Sequence, residues 1–179
     1  MAEHATTEGT RRDFLYIWTG ALGAVAAGSA LIPLVSQMNP DASTIAAGAP
    51  IEVDLKQIPA GQVVTLKWRG KPIFVRHRTD KEITESKGVQ VASLPDPQED
   101  AARIKSFDGK AMEQWVVTIG ICTHLGCVPI SNSGEFQGWY CPCHGSHYDN
   151  VGRIRKGPAP RNLEIPPYAF TAATTVRIG

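Results

Sequence analysis

The sequence lacks an excess of charge of either sign. Its 18 lysines and arginines nearly balance 17 aspartates and glutamates, which leaves a formal net charge of +1 over 179 residues. Proteins that bind nucleic acid through its phosphates usually carry a strong basic excess, so nucleic acid is not an expected partner. The chain also has no internal repeat at a period of roughly 20 to 50 residues, which argues against a repeat architecture.

Charged residues are absent from one long stretch, residues 14–40, which reads FLYIWTGALGAVAAGSALIPLVSQMNP. As a helix this stretch would run about 40 Å at roughly 1.5 Å per residue, against a hydrocarbon core of about 30 Å. We therefore predict a single transmembrane anchor helix over 14–40. A cleaved secretory signal is the alternative, but its apolar region is usually only about 7 to 15 residues long.

An arginine pair stands just before this helix, in the sequence TRRDFL at residues 10–15. It resembles the twin-arginine export signal, a route that carries folded cargo. Two arginines beside a membrane helix are also ordinary positive-inside anchors, and both interpretations place residues 1–13 in the cytoplasm. We therefore expect a single-pass protein of a bacterial inner membrane with its head in the periplasm.

Between the helix and the head lies a stretch of small residues, DASTIAAGAP at 41–50, with no periodic apolar face. Ten residues reach about 33 to 36 Å when extended and only about 15 Å when helical. A change between the two states would displace the head, so we predict a flexible hinge over 41–50. A passive tether is the alternative.

Residues 51–179 are predicted to form a mainly β head with antiparallel sheets packed as a sandwich. The segments with alternating or β-rich composition, separated by Gly and Pro, are 51–55, 62–68, 72–78, 115–121 and 174–179. Thr79 with Glu82 forms a possible capping box, which predicts a short helix and an exposed loop inserted between strands, around residues 79–113. The cysteine and histidine segments would then lie in loops at the far end, within about residues 120–160.

Cysteine is scarce, and all four cysteines lie in two short segments, CTHLGC at 122–127 and CPCHGSHYD at 141–149. Each segment offers a compact pair of metal ligands, Cys122 with His124 and Cys141 with His144. Two thiolates and two imidazoles suit a tetrahedral zinc ion, so zinc is the serious alternative chemistry. If all four cysteines and both histidines were ligands, six donors would converge, which is too many for one such ion.

These two segments resemble the paired signature of Rieske iron–sulfur proteins, in which one iron has two Cys ligands and the other has two His ligands. The resemblance extends to TRRDFL, to GKPIFVRHR at 70–78 and to GRIRKGPAPRNL at 152–163. All of these resemble the Rieske subunit of the bacterial cytochrome bc complex, the ubiquinol:cytochrome c oxidoreductase. The resemblance weakens between about residues 87 and 113, so the role of the insertion is left open.

The resemblance implies one 2Fe–2S cluster per chain, with Cys122 and Cys141 on the buried iron and His124 and His144 on the exposed iron. It implies a disulfide between Cys127 and Cys143. Two neutral imidazoles in place of two thiolates make the site less negative, which raises its reduction potential to about −150 to +300 mV, against roughly −400 mV for four-cysteine plant-type clusters.

The resemblance also implies roles for residues that are not ligands. Ser146 and Tyr148 would donate hydrogen bonds to sulfur, to a bridging sulfide and to Cys122 respectively, although turn chemistry and simple packing are alternatives. Leu125, Gly157 and Pro158, with Pro142, would cover the cluster. His147 is expected to be a surface residue rather than a ligand, and no role is assigned to His4 or His77.

By the same resemblance, ubiquinol would give one electron to the cluster and a proton to a ligand histidine, His144 or His124. Movement of the head would then deliver the electron to a c-type haem. The implied partners are a cytochrome b-type quinol-binding subunit, a c-type cytochrome subunit, ubiquinol and membrane lipid, within a dimeric complex. The alternatives are a soluble Rieske ferredoxin or oxygenase component, the small subunit of a periplasmic oxidase such as arsenite oxidase, and a structural zinc module.

Overall fold

The computed structural model describes residues 9–179. His4 and most of the predicted cytoplasmic segment 1–13 lie outside the described residues. The chain divides into two compact units, one ending at Ile45 and one spanning Ala46–Gly179.

The first unit contains one long apolar helix, α1 (Arg11–Ser36). It begins earlier than the uncharged stretch because Thr10 and Asp13 form a capping box, in which the Thr10 side chain accepts from the Asp13 N–H and the Asp13 carboxylate accepts from the Thr10 N–H at 2.9 Å. Its most apolar 18-residue window has a mean hydropathy of 1.6. Helix α1 is therefore long and apolar enough to cross a membrane. A short helix, α2 (Ala42–Ala47), follows within the predicted hinge.

The head contains twelve short strands and one further helix, α3 (Asp80–Lys87). The strands are β1 (Ile51–Asp54), β2 (Val63–Trp68), β3 (Lys71–His77), β4 (Ser106–Phe107), β5 (Lys110–Ala111), β6 (Trp115–Ile119), β7 (Ile130–Ser133), β8 (Gly138–Cys141), β9 (Ser146–Tyr148), β10 (Ile154–Lys156), β11 (Tyr168–Ala172) and β12 (Thr175–Ile178).

All the strand pairs are antiparallel, and they form three main sheets in the orders β1-β12-β11, β2-β3-β6 and β10-β9-β8-β7, with β4 and β5 as a separate hairpin. The mainly β, antiparallel fold class predicted from the sequence is confirmed. The second cysteine segment, however, is not only a loop: Cys141 ends β8, and Ser146 begins β9.

Strand β6 has every residue buried because it lies between two hydrophobic cores. Alternate side chains of a strand point to opposite faces: Trp115, Val117 and Ile119 enter one core, and Val116 enters the other. The second core also contains Cys122, Cys141, Trp139 and Tyr148. The two candidate cysteine ligands therefore lie in the core that also contains Val116 of β6.

The insertion after β3 begins with α3, whose predicted capping box is present: the Thr79 N–H donates to Glu82 at 2.8 Å. The insertion is bound to the head by buried ion pairs. Arg78 pairs with Asp100 at 2.8 Å, and Asp100 accepts a hydrogen bond from Ser86 at 2.5 Å. Arg153, which pairs with Asp149 at 2.8 Å, also donates to the Ser86 carbonyl at 2.9 Å. The bond from Arg153 to Ser86 connects the insertion to the turn that follows β9.

Candidate metal centre

The first cysteine segment forms a tight loop after β6. The Cys122 N–H donates to the Cys127 carbonyl at 2.8 Å, and the Gly126 N–H donates to the Cys122 carbonyl at 3.0 Å. Gly126 has φ +84, a left-handed conformation that favours glycine. The loop therefore holds Cys122 at its base and carries His124 and Leu125 outward.

The second cysteine segment forms the turn of the β8–β9 hairpin. The Gly145 N–H donates to the Cys141 carbonyl at 3.0 Å, and Gly145 has φ +75. Cys141 lies at the buried end of this turn, while His144 lies at its exposed tip.

The two free thiols lie inside and the two imidazoles lie outside. Cys122 and Cys141 are each 2% exposed. His124 is half-buried and His144 is exposed, and their ring centroids are 4.7 Å apart with the rings edge to face. Two thiols and two imidazoles thus converge from two loops.

A disulfide joins Cys127 to Cys143, with the two Cα atoms 6.7 Å apart. The sulfurs of Cys127, Cys141 and Cys143 all lie within 4.8 Å of one another, a separation compatible with binding one metal ion. However, Cys127 and Cys143 are bonded to each other, so only Cys141 of these three remains free as a thiolate ligand. The disulfide instead ties the first loop to the second.

The two free thiols differ in acidity. Burial raises the pKa of Cys141. Burial also acts to raise the pKa of Cys122, but the hydrogen bonds that its sulfur receives, first from the Tyr148 hydroxyl and then from the His124 backbone, lower that pKa below its usual value. The site therefore favours negative charge on the Cys122 sulfur.

Tyr148 is fully buried, and its hydroxyl lies 3.2 Å from the Cys122 sulfur. The hydroxyl accepts from the Thr123 N–H at 3.3 Å, and its oxygen lies 3.3 Å from Thr123 Oγ1. Because Thr123 Oγ1 donates its own proton to the Arg161 carbonyl at 2.6 Å, the single phenol proton is shared between the Cys122 sulfur and Thr123 Oγ1. Burial raises the pKa of Tyr148, which keeps the phenol protonated as a donor.

A third loop, at 157–160, packs against the second cysteine segment. Gly157 has φ +106, and a Cβ there would lie 2.5 Å from the Gly145 carbonyl oxygen and 2.6 Å from the Ser146 Cα. The Ala159 N–H donates to Ser146 Oγ at 3.2 Å. Ser146 Oγ therefore accepts from this loop and keeps its proton free to donate. Pro158 is exposed on the loop surface.

The rim of the site is apolar and exposed. Leu125 is 70% exposed, and Val128 and Ile130 are each 53% exposed. Pro142 is also exposed beside His144.

Several supporting residues were not identified from the sequence. Thr123 connects Tyr148 to Arg161, and the carboxylate of Asp149 accepts from the backbone N–H of Val151 and of Arg153 at 3.2 and 2.9 Å. No local sequence pattern identifies these residues, because their partners lie in other segments of the chain. The other two histidines lie outside the centre: His147 Nδ1 accepts from the Glu135 N–H at 3.2 Å, and His77 stacks on Trp115.

Comparison with known proteins identifies the family. Residues 51–168 match the model described as "Rieske [2Fe-2S] domain", and residues 1–41 match "Ubiquitinol-cytochrome C reductase Fe-S subunit TAT signal". The chain is 62% identical over 170 residues to the ubiquinol-cytochrome c reductase iron-sulfur subunit of Bradyrhizobium diazoefficiens, covering 95% of this chain and 94% of the relative. The chain belongs to the Rieske iron–sulfur subunits.

Two further relatives agree with this Rieske assignment. The iron-sulfur subunit of Blastochloris viridis is 55% identical over 179 residues, covering 100% of this chain and 98% of the relative. A solved structure titled "Hyperthermophilic respiratory Complex III" contains a chain that is 32% identical, with a TM-score of 0.53, covering 90% of this chain and 98% of that one. This Rieske chain is therefore an electron-transfer subunit of the cytochrome bc1 type, and its cofactor is a Rieske-type 2Fe–2S cluster.

The residues present fit such a cluster. It requires two thiolates and two imidazoles from separate positions, and the site provides two buried free thiols below two outer imidazoles, as described above. The two remaining cysteines are occupied by the disulfide. The two buried thiols would hold one iron in the core, and the two outer imidazoles would hold the other iron at the surface.

Proposed function

We propose that this subunit takes electrons one at a time from ubiquinol and passes them to a c-type haem, through a cluster held by Cys122, Cys141, His124 and His144. The observation that carries the proposal is the arrangement of buried thiols behind outward imidazoles, braced by the disulfide between the two loops. When bound, the cluster supplies a one-electron acceptor of high potential.

His144 has the position needed to meet the substrate, since it is exposed at the tip of the second turn. An imidazole that gives one nitrogen to a metal keeps the other for a proton. We propose that this second nitrogen of His144 accepts the hydrogen bond from a quinol hydroxyl and then holds its proton. His124 is half-buried beside it and is the second candidate for the same role.

Tyr148 and Ser146 would set the electronic properties of the site by donating hydrogen bonds to sulfur. A donor stabilises the more negative, reduced state and thereby raises the potential. The Tyr148 hydroxyl lies 3.2 Å from the Cys122 sulfur, and Ser146 Oγ accepts from the Ala159 N–H, which leaves the serine proton available to donate. This arrangement supports a potential high enough to oxidise quinol.

Leu125 and the 157–160 loop, with Gly157 and Pro158, would exclude water from the site and form the surface that docks on a cytochrome b-type subunit. The exposure of Leu125 supports this role because a large aliphatic side chain in that position gains from being covered by a partner. A c-type cytochrome subunit would be the second docking partner. We place both within a dimeric membrane complex.

The chain would divide as the sequence suggests: a cytoplasmic segment over 1–13, an anchor over 14–40, a hinge over 41–50 and the head over 51–179, within which the cluster-binding loops occupy about 120–160. Helix α1 supports the anchor by its length and apolar composition. The head would lie in the periplasm of a bacterial inner membrane, because the match to a twin-arginine signal over residues 1–41 supports export of a folded domain. Lipid would surround α1, and the hinge would let the head move between its two docking partners.

Paired histidine variants test the proposal. His144→Ala should abolish quinol:cytochrome c reductase turnover in membranes together with the EPR signal of the reduced centre. His147→Ala removes an imidazole three residues away that contacts Tyr140 and Phe136 instead of the ligands, and it should retain both properties. Retention of turnover in His144→Ala would refute the proposed ligand and substrate role.

A further inference from the structure

The end of the hinge is bound to the head by the turn between β2 and β3. The Arg69 N–H donates to the Ala47 carbonyl at 3.3 Å, and Arg69 Nε donates to the Gly48 carbonyl at 3.4 Å. The Trp68 indole N–H donates to the Ala49 carbonyl at 3.0 Å. Two consecutive residues of the turn thus bind three consecutive carbonyls of the hinge.

The turn is shaped for this contact. Arg69 has φ +48 and Gly70 has φ +74, the pair of left-handed residues that a two-residue hairpin turn requires. Trp68 is only 5% exposed, so its ring is fixed in the core, and the Arg69 guanidinium lies 4.5 Å from the ring centre. Both donors are therefore held by the sheet rather than by the hinge.

The other side of the contact is closed by the end of β12. A Cβ at Gly179 would lie 2.9 Å from the Trp68 ring and 3.0 Å from the Pro50 Cα. The Gly179 N–H donates to the Pro167 carbonyl at 2.9 Å. Pro50 thus packs beside Gly179 and the Trp68 ring, which fixes the position of the last hinge residue on the head.

We propose that Trp68 and Arg69 form a clamp that fixes residues 47–49 to the head. A change between helix and extended chain in the hinge is then confined to the residues before Ala47, most of which form α2. The inference rests on the proposed movement of the head, and it makes Trp68 and Arg69 positioning residues for electron transfer. The segment that changes length is then Asp41–Ala46 instead of the whole stretch 41–50.

The length of the free tether sets how often the head meets each docking partner. Once a tether is long enough to span its sites, the effective concentration of the tethered domain falls roughly as the −3/2 power of tether length. Release of the clamp would lengthen the free segment from Asp41–Ala46 to Asp41–Ala49, which lowers the effective concentration about twofold. One hydrogen bond contributes about 1 kcal/mol net, so its loss shifts the ratio of clamped to released hinge by about fivefold.

Limited proteolysis of the full chain in membranes tests the clamp directly. Elastase cleaves after small residues unless proline follows, and the hinge offers Ala42, Ala46 and Ala47. In the unaltered protein, the released heads should begin at residues up to 47, and the bond after Ala47 should be protected. Trp68→Phe and Arg69→Gln should each increase cleavage after Ala47 severalfold, as measured by the masses of the released heads.

Arg177→Gln is the matched control. It removes the same charge from an exposed position on β12, whose cross-strand neighbours are Glu52 of β1 and Ala169 of β11 rather than residues of the hinge. It should leave the cleavage pattern unchanged. Equal cleavage after Ala47 and Ala46 in the unaltered protein would overturn the clamp, and so would a lack of new cleavage in both variants. The EPR signal of the reduced centre should stay intact in all three, which separates release of the hinge from unfolding.

Turnover measured in the same membranes tests the consequence. Trp68→Phe and Arg69→Gln should slow quinol:cytochrome c reductase activity by up to about twofold, while Arg177→Gln should not. New cleavage without slower turnover would overturn the claim that the clamp sets the tether length. Failure of the proposed function would look different, since the unaltered protein would then lack turnover or the EPR signal whatever its cleavage pattern.

Discussion

Replacement of Tyr148 by Phe removes one hydroxyl from the metal centre and leaves the ring. The hydroxyl lies 3.2 Å from the Cys122 sulfur, in a side chain with no exposed surface. Its proton is shared between that sulfur and Thr123, because Thr123 uses its own hydroxyl proton on the Arg161 carbonyl. The substitution therefore removes a hydrogen bond that strengthens as the sulfur becomes more negative.

The size of the effect follows from that hydrogen bond. A net contribution of about 0.5 to 1.5 kcal/mol is typical of one intramolecular hydrogen bond. For a one-electron couple a tenfold change in equilibrium is about 59 mV, so loss of the bond should lower the potential by about 20 to 65 mV. The potential should decrease rather than increase, because the substitution removes more stabilisation from the reduced state than from the oxidised state.

The assay is a redox titration of the centre in membranes, followed by EPR. Tyr168→Phe is the control, since it makes the same chemical change at a buried tyrosine that packs in the other core. An unchanged or increased potential in Tyr148→Phe, or an equal decrease in Tyr168→Phe, would refute the proposed role of this hydroxyl.

Three further predictions concern the stability of the head. Replacing Cys127 and Cys143 together by Ser should lower the free energy of unfolding by about 3 kcal/mol, because the disulfide closes a loop with a sequence separation of 16; denaturant titration measures it, and an unchanged midpoint would contradict it. Gly157→Ala should speed loss of the visible absorption of the centre, since the new Cβ would clash with the Gly145 carbonyl oxygen; Gly109→Ala, at φ +74 with open space around it, is the control and should lose its absorption at the unaltered rate. Burial acts to raise the pKa of Asp100, but hydrogen bonds from Arg78 and Ser86 outweigh it and hold the pKa below 3.8. Asp100 therefore contributes stability above about pH 4 that is lost as pH falls through its lowered pKa, and Asp100→Asn should flatten this acid dependence in thermal unfolding; an equally steep dependence in the variant would contradict the assignment.

Local patterns predicted the parts of the fold that depend on local chemistry. The Thr79 and Glu82 capping box begins a helix, and the five β-rich segments each contain a strand. Strands β4, β5 and β7 to β11 were not predicted. All of them except β11 are only two to four residues long, which is too short for a period of two to stand out, and Gly138–Cys141 is buried on both faces.

The candidate site was predictable where the motif itself contains the chemistry. The cysteines and histidines stand within the two segments, so their approach follows from the two loops meeting. The contacts that support them join residues far apart, such as Thr123 with Arg161 and Arg153 with Ser86. No local pattern encodes such pairs, because each depends on how the insertion and the loops pack.

The most direct test of the central claim is pulsed EPR of the reduced centre in protein labelled with ¹⁵N-histidine. We predict couplings from two imidazole nitrogens, together with two irons and two sulfides per chain. A spectrum without imidazole coupling, or a preparation that contains one zinc ion per chain, would contradict a cluster held by two thiolates and two imidazoles.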